Sequence, residues 1–527
     1  MASPNRREPG ADPAGDAVRT RWWRRRWWRP GAPARQGLFF VLVAVILFGA
    51  AWLAQETISF RGRVYEAIAR ELVDNTTEGR QALVSSVWWA PLPTLLRLPL
   101  VLAFPDVPRP LASQAVGALM GAASLVLMLR IFEQWGLGRW SVVLVLALAI
   151  HPLFLRAGTD GAVASTVLYF VLLAMHGFIG WADKRSLRYL VYLAFAVAML
   201  TVTSFEMTVW CAVAFLFFLG DLTARRCVRR QREAVFVVTL TPLVYTVLLW
   251  ILLNWLVMGD GFYLVRSLTR GLRPIGLPAA PPGLPADVLE KASLLHVSEM
   301  ATMFCAAAAL VFVAARRRGG AYLGLCAAAV APLCWLLHVN GLLWDSLPLL
   351  LSLAALFVVM CGYLTRSEGL LPRSWGRPLC AALALGMSVY AIRSEESWIA
   401  ADRDLQADER MGHEIRQIVE HHALARSEYA KIYACGYSGL LLARASEDAV
   451  IVPSLDFNFN ETMRDYRGHR LFVLVHRPEG RSGMDSLHWK FPDIYPFGSG
   501  ATLFERDFGP WRLYEIVQPY SRRGNER

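Results

Sequence analysis

Long apolar runs separated by short basic stretches dominate the chain. From Leu38 to Leu53 and again from Val235 to Val257 no Asp, Glu, Lys or Arg interrupts the run. Runs of this kind suit helices that cross a ~30 Å hydrocarbon core at ~1.5 Å per residue. One buried helix of a large soluble protein shows such a pattern once; this chain repeats it. The pattern predicts spans at 38–54, 111–131, 140–155, 161–180, 188–203, 206–220, 235–257, 299–315, 321–337, 343–364 and 378–392.

Two long connections break the ladder, 55–110 and 258–298. In the first, Val64, Ile68 and Leu72 share one helical face, with Glu66, Arg70, Glu71 and Asp74 largely on the other. That spacing predicts an amphipathic helix lying on the membrane surface, with Glu66 and Glu71 on its solvated side. The following stretch, 87–104, is long enough to span. However, it carries Pro91, Pro93 and Pro99, with Arg97 in its centre. Prolines remove ladder donors and a central arginine is expensive in lipid, so it reads as an interfacial or re-entrant segment.

After the last span the pattern changes. The stretch 408–426 is polar and helix-prone, and 431–434, 449–452, 471–475 and 511–517 read as short strands. Helices alternating with apolar strands predict a small α/β domain over 394–527. Gly436 and Gly439 punctuate the exit of its first strand without the spacing of a phosphate or dinucleotide loop.

Charge sets the orientation. Of the residues, 55% are hydrophobic and 18% charged, and the net charge is +12. The basic residues lie between apolar runs, which argues against nucleic acid as a partner and for the positive-inside rule. With the amino terminus inside, Arg139, Lys184, Arg185 and the clusters 225–232, 316–318 and 366–377 all fall on the cytoplasmic side. The basic tail, residues 1–36, is then cytoplasmic and residues 394–527 are extracytoplasmic. The tail's Arg-Trp clusters read either as an interfacial anchor or as a plain orientation signal. The cysteines form no metal-type pair, Cys435 stands alone in the terminal region, and adjacent His421 and His422 point apart on a helix. No metal site is therefore expected.

Three stretches carry a family resemblance: 64–72 with Tyr65, the proline-rich 89–96, and 157–160 (Ala-Gly-Thr-Asp). Together with the layout, they make residues 37–393 resemble the GT-C superfamily of integral-membrane glycosyltransferases. Within it the likeness is to the branch of protein O-mannosyltransferases and lipid A aminoarabinose transferases. The fold class is accordingly mainly α: a polytopic, GT-C-like bundle of about eleven transmembrane helices with a small extracytoplasmic α/β domain. The resemblance implies transfer of a sugar from a polyprenyl-phosphate-linked donor to a glycan, lipid or protein acceptor on the outer side of the cytoplasmic membrane. No further cofactor is implied.

Such chemistry requires a carboxylate as general base and cations for the phosphate. The family places an acidic residue about four positions before the tyrosine, where this chain has Arg61 and Gly62. Glu56 is the first alternative base and Asp74 the second. Arg61, Arg63, Arg270 and Arg273 are outer-side cations suited to phosphate, and Tyr65, Asp160 and Glu206 are candidates for lining the cavity. Asp160 also reads as a helix amino-terminal cap. Two other readings stand beside the enzyme. One is a catalytically silent relative acting as a lipid-binding scaffold in envelope assembly; the other is a transporter or flippase, although no internal repeat supports it.

Overall fold

The computed structural model describes residues 32–53, 60–75, 77–85, 90–105, 111–161, 163–204, 229–263, 347–366 and 373–394. It also describes isolated positions between 207 and 215 and the strands and short helix between 431 and 516. The expected spans 299–315 and 321–337, and nearly all of 206–220, lie outside the described residues.

Helix α1 (Ala32–Leu53) is followed by α2 (Phe60–Val73), α3 (Thr77–Ser85) and α4 (Pro91–Ala103). Next come α5 (Leu111–Gln134), α6 (Arg139–Ala149), α7 (Pro152–Thr159), α8 (Ala164–Lys184) and α9 (Leu187–Thr201). The described helical part closes with α10 (Arg229–Met258), α11 (Leu347–Arg366) and α12 (Arg373–Ser394). Within these, 5 helices are long and apolar enough to cross a membrane, or 6 if α6 and α7 count as one broken span. The protein is an integral membrane helix bundle.

Hydropathy alone does not place these helices in the bundle. The apolar windows of α1, α10 and α11 have equal mean hydropathy, yet 11% of the first, 6% of the second and 89% of the third is buried. Lipid tails are as apolar as leucine, so the same sequence pattern serves a lipid-facing helix and a central one. The core is formed by α5, α8 and α11, with Phe132, Leu168, Val171, Leu351 and Val359 nearly inaccessible.

The stretch expected as a single span at 140–155 is two helices. α6 and α7 meet at a 68° bend. Pro152 opens α7, where its missing N–H is not needed, and the His151 ring Nδ1 accepts from the Leu153 N–H at 3.3 Å. The bend is therefore a capped helix start, which a proline inside an apolar run foreshadows.

α1 and α5 run antiparallel, and two contacts fix their ends. Gln36 Nε2 donates to Glu133 Oε2 at 3.0 Å at one end, and Gln114 Nε2 donates to the Ala51 carbonyl at 2.9 Å at the other. A seam of small residues lets the helices approach. Leu47 of α1 fits against Gly121 of α5 and Gly158 of α7, and Gly117 faces the Gly158 carbonyl. Close backbone approach at glycines is a common basis of helix association in membranes.

In the terminal region a five-stranded sheet has the order β2-β1-β3-β5-β4. Its strands are β1 (Lys431–Cys435), β2 (Ile451–Ser454), β3 (Leu471–His476), β4 (Thr502–Phe508) and β5 (Trp511–Ile516). β1 pairs in parallel with β2 and β3, whereas β5 pairs antiparallel with β3 and β4. A short helix, α13 (Ile494–Phe497), precedes β4, and Tyr514 of β5 donates to the Tyr495 carbonyl at 2.5 Å.

Candidate functional site

The helix expected on the membrane surface is instead buried. Every residue of α2 from Val64 to Ala69 is inaccessible, Glu66 included at 3% exposure. Helices α3, α4 and α5 all pack on it, so its polar face meets protein rather than solvent. Glu66 is therefore not a solvated carboxylate, and Glu71 is half-buried. The amphipathic pattern marks a polar face without stating what covers it.

That cover is a polar knot. Glu66 Oε2 accepts from the Ser113 N–H at the start of α5 at 2.9 Å, and Glu66 Oε1 pairs with Arg70 at 3.0 Å. Arg70 also donates to the Pro105 carbonyl at 2.9 Å, just beyond α4. The Ser113 hydroxyl donates to the Gly62 carbonyl at 2.6 Å. A charged acceptor on the amino-terminal N–H groups of a helix suits the helix dipole.

Arg97 is the centre of the knot and fully buried. Its Nε donates to Ser113 Oγ at 2.7 Å, one terminal nitrogen donates to the Pro93 carbonyl at 2.5 Å, and the other donates to the Gly161 carbonyl. Its guanidinium lies over the Tyr65 ring, 5.1 Å from the centroid. The charges of Glu66 and Asp160 act on it. In the 13-residue helix that carries it, α4, Pro91 stands at the helix start and Pro93 lies within the first turn, whereas Pro99 lies inside the helix and removes one backbone donor there. At ~1.5 Å per residue α4 is ~20 Å long, short of a bilayer crossing.

Glycines bring the turn after α7 into this knot. Gly161 has φ +68°, a conformation that favours glycine, and a Cβ there would meet Ser113 at 2.8 Å. A Cβ on Gly62 would meet the Asp160 carbonyl at 2.9 Å. Asp160 itself is 2% exposed and closes α7, its backbone N–H donating to the Arg156 carbonyl at 2.8 Å. It does not cap the following helix, which begins after Val163. Leu92 N–H donates to the Val202 carbonyl at 3.0 Å, which adds the end of α9 to the same end of the bundle.

Of the sequence candidates, Tyr65 and Asp160 come together here. Asp74 does not: it is exposed beyond the carboxyl end of α2, ~18 Å along the helix from Gly62. Arg61 and Arg63 lie on α2, but their side chains lie outside the described residues, as do Glu56, Glu206, Arg270 and Arg273. The chain on both sides of 54–59 is held at the knot, by Ala51 against Gln114 and by Gly62 against Ser113. Sequence reasoning missed Arg97 and Glu66 as members of the site. For Arg97 the signal was present, because an ionisable residue inside an apolar segment is a functional candidate by default. Among the described residues no group of His, Cys, Asp and Glu is arranged to hold a metal ion.

No protein-family model and no curated protein matches the chain. Two solved structures of ArnT from Cupriavidus metallidurans are similar to it along nearly their whole length. The form bound to undecaprenyl phosphate has 13% identity and a TM-score of 0.44, covering 91% of this chain and 97% of its own. The apo form has 14% identity and a TM-score of 0.39, covering 92% and 98%. The likeness is loose at both scores, and the site stands on its own geometry.

Proposed function

We propose that the protein is an integral-membrane glycosyltransferase that moves a sugar from a polyprenyl-phosphate-linked donor to an acceptor on the outer side of the cytoplasmic membrane. One observation carries this reading. Three stretches far apart in sequence, around Tyr65, Arg97 and Asp160, converge on one buried ionic knot at one end of an apolar bundle. Buried charge in a membrane protein is expensive and marks function by default. The opposite end carries the exposed Arg130, Arg139, Lys184, Arg185 and Arg188, which under the positive-inside rule supports a knot on the outer face and a cytoplasmic amino terminus.

In this reading the residues divide the work. Arg97 spends its N–H groups on Ser113, Pro93 and Gly161, so it positions Tyr65 and the Asp160 turn rather than gripping a ligand. Arg61, Arg63, Arg270 and Arg273 are the cations for the donor phosphate, and Glu206 joins Asp160 in lining the cavity. The acceptor hydroxyl oxygen forms a bond to the anomeric carbon as the carbon–oxygen bond to phosphate breaks. Polyprenyl phosphate leaves, and a carboxylate takes the hydroxyl proton. Glu56 is the first choice for that base, since its chain neighbours are tied to the knot on both sides; Asp74 is the second. The terminal α/β region, 394–527, then lies outside, where it is suited to selecting the acceptor.

Gly62 supports a second reading. It stands where the resembling family carries an acidic residue, and the Asp160 carbonyl leaves no room there for a side chain. Without a base elsewhere the protein is a silent relative that retains a lipid site and serves as a scaffold. Two measurements separate the readings. Purification in mild detergent with lipid mass spectrometry should recover a polyprenyl phosphate, and Glu56→Gln should abolish sugar transfer while leaving that lipid bound. Full transfer by Glu56→Gln and Asp74→Asn, singly and together, removes the assignment of the base. Failure to retain or bind any polyprenyl lipid removes the proposal.

A further inference from the structure

The end of the bundle opposite the knot holds a second set of polar residues that the proposed transfer does not use. His176 of α8 is 7% exposed and stacks on Tyr192 at 5.9 Å, with Tyr189 edge-on at 5.5 Å. Gln134, the last residue of α5, lies 3.4 Å from its ring nitrogen. Around this aromatic floor Lys184, Arg188 and Arg130 are exposed, Arg130 standing one turn before Gln134 on α5.

These cations lean on rings. Lys184 Nζ donates to the Tyr189 hydroxyl at 2.7 Å and lies 4.9 Å from that ring's centroid. Arg188 Nε donates to the Tyr192 hydroxyl at 2.7 Å, and its guanidinium lies 5.4 Å from the ring centroid. Arg185 covers Trp181 at 4.1 Å, and Arg139 covers Trp140 at 5.6 Å. Arg130 commits Nε to Gln36 at 2.9 Å. Among the described residues the carboxylates at this end are Asp183, Glu133 and Glu233, and Glu133 accepts from Gln36. Cation–π stacking orients a guanidinium without neutralising it, so its charge stays available to an anion.

Directly beside the cations, α9 exposes Leu187, Val191 and Phe195, at 63%, 49% and 47%. Their spacing of four residues makes one stripe that runs from the basic end toward the middle of the bundle. A soluble anion has no use for that stripe, whereas an acyl chain does.

We infer that Lys184, Arg188 and Arg130 form a binding site for an anionic phospholipid, its phosphate on the three cations and an acyl chain along Leu187, Val191 and Phe195. The ligand belongs to the leaflet at this end, and the site is separate from any donor-lipid site at the knot. Juxtamembrane basic clusters hold anionic lipids through charge, and planar guanidinium groups suit phosphate oxygens.

The test uses the full chain purified in mild detergent. Phosphatidylglycerol and phosphatidylcholine with identical acyl chains are titrated by native mass spectrometry, with inorganic phosphate as a third arm. Phosphatidylglycerol should bind and the other two should not. Arg188→Gln should weaken it about fivefold, and the triple change with Lys184→Gln and Arg130→Gln on the order of a hundredfold. Equal retention of phosphatidylcholine, competition by inorganic phosphate alone, or undiminished binding by the triple variant overturns the assignment. If the triple variant fails to fold, a photoactivatable phosphatidylglycerol on the unaltered protein decides. Adducts within 184–195 support the site, and adducts only elsewhere refute it.

Discussion

The two ends of the bundle handle positive charge in opposite ways. At one, Arg97 is sealed inside and held by a serine hydroxyl and two backbone carbonyls, with Glu66 and Asp160 acting on its charge. At the other, Lys184, Arg188 and Arg130 remain exposed, the first two resting on tyrosines. A buried charge has no water to fall back on, so every partner must be in place. An exposed one needs only proximity, and its neighbours are exchangeable. The first arrangement specifies a geometry; the second specifies a surface.

The sharpest way to break this contrast is to remove the sealed charge. Arg97→Met should destabilise the bundle by about 3–5 kcal/mol, because Glu66 and Asp160 stay buried without it. Arg97→Lys should recover little, since a lysine cannot reproduce the fork to Ser113, Pro93 and Gly161. Unfolding in detergent reads both, and a loss no greater than that of Arg139→Gln would end the distinction. Next, Glu66→Gln should lose about 1.5–3 kcal/mol with the charged hydrogen bonds to Ser113 and Arg70, read by the same unfolding curves. Gly62→Ala should follow at about 1–3 kcal/mol, because its methyl group meets the Asp160 backbone. Wild-type stability for that variant would mean the turn is free to move. The smallest effect belongs to Arg188→Gln, which should stay within about 0.5 kcal/mol in lipid-free detergent.

The long elements were legible for a clear reason. A charge-free apolar run that satisfies its own backbone is a helix, and α1, α5, α8, α10 and α11 lie where such runs lie. The third expected span, 140–155, hid a break: Pro152 is the residue at which it occurs, and the 68° angle depends on what α7 packs against. Covering was not legible. Glu66 and Arg70 have the spacing of a solvated helix face, and only the arrival of Ser113 and Pro105 shows otherwise. The same holds for the site: Tyr65 and Asp160 were visible as residues, but Gly161, the acceptor that draws their segments together, is distant in sequence from Arg97. β4 was missed because Glu505, Arg506 and Asp507 interrupt its apolar pattern, while β1 and β3 sit on short apolar runs.

The separation between Arg97 and Gly161 also has a meaning in time. The two stand 64 positions apart along the chain. A ribosome adding roughly 5–20 residues per second delivers the second about 3–13 s after the first. Until then the guanidinium lacks an acceptor that its final position requires, and water is the better home for it. Segment 91–103 should therefore stay at the membrane surface during synthesis until α7 has been made. Arg97 would in this sense set an order of assembly, tying α4 to the turn after α7 before the end of α9 arrives to join Leu92.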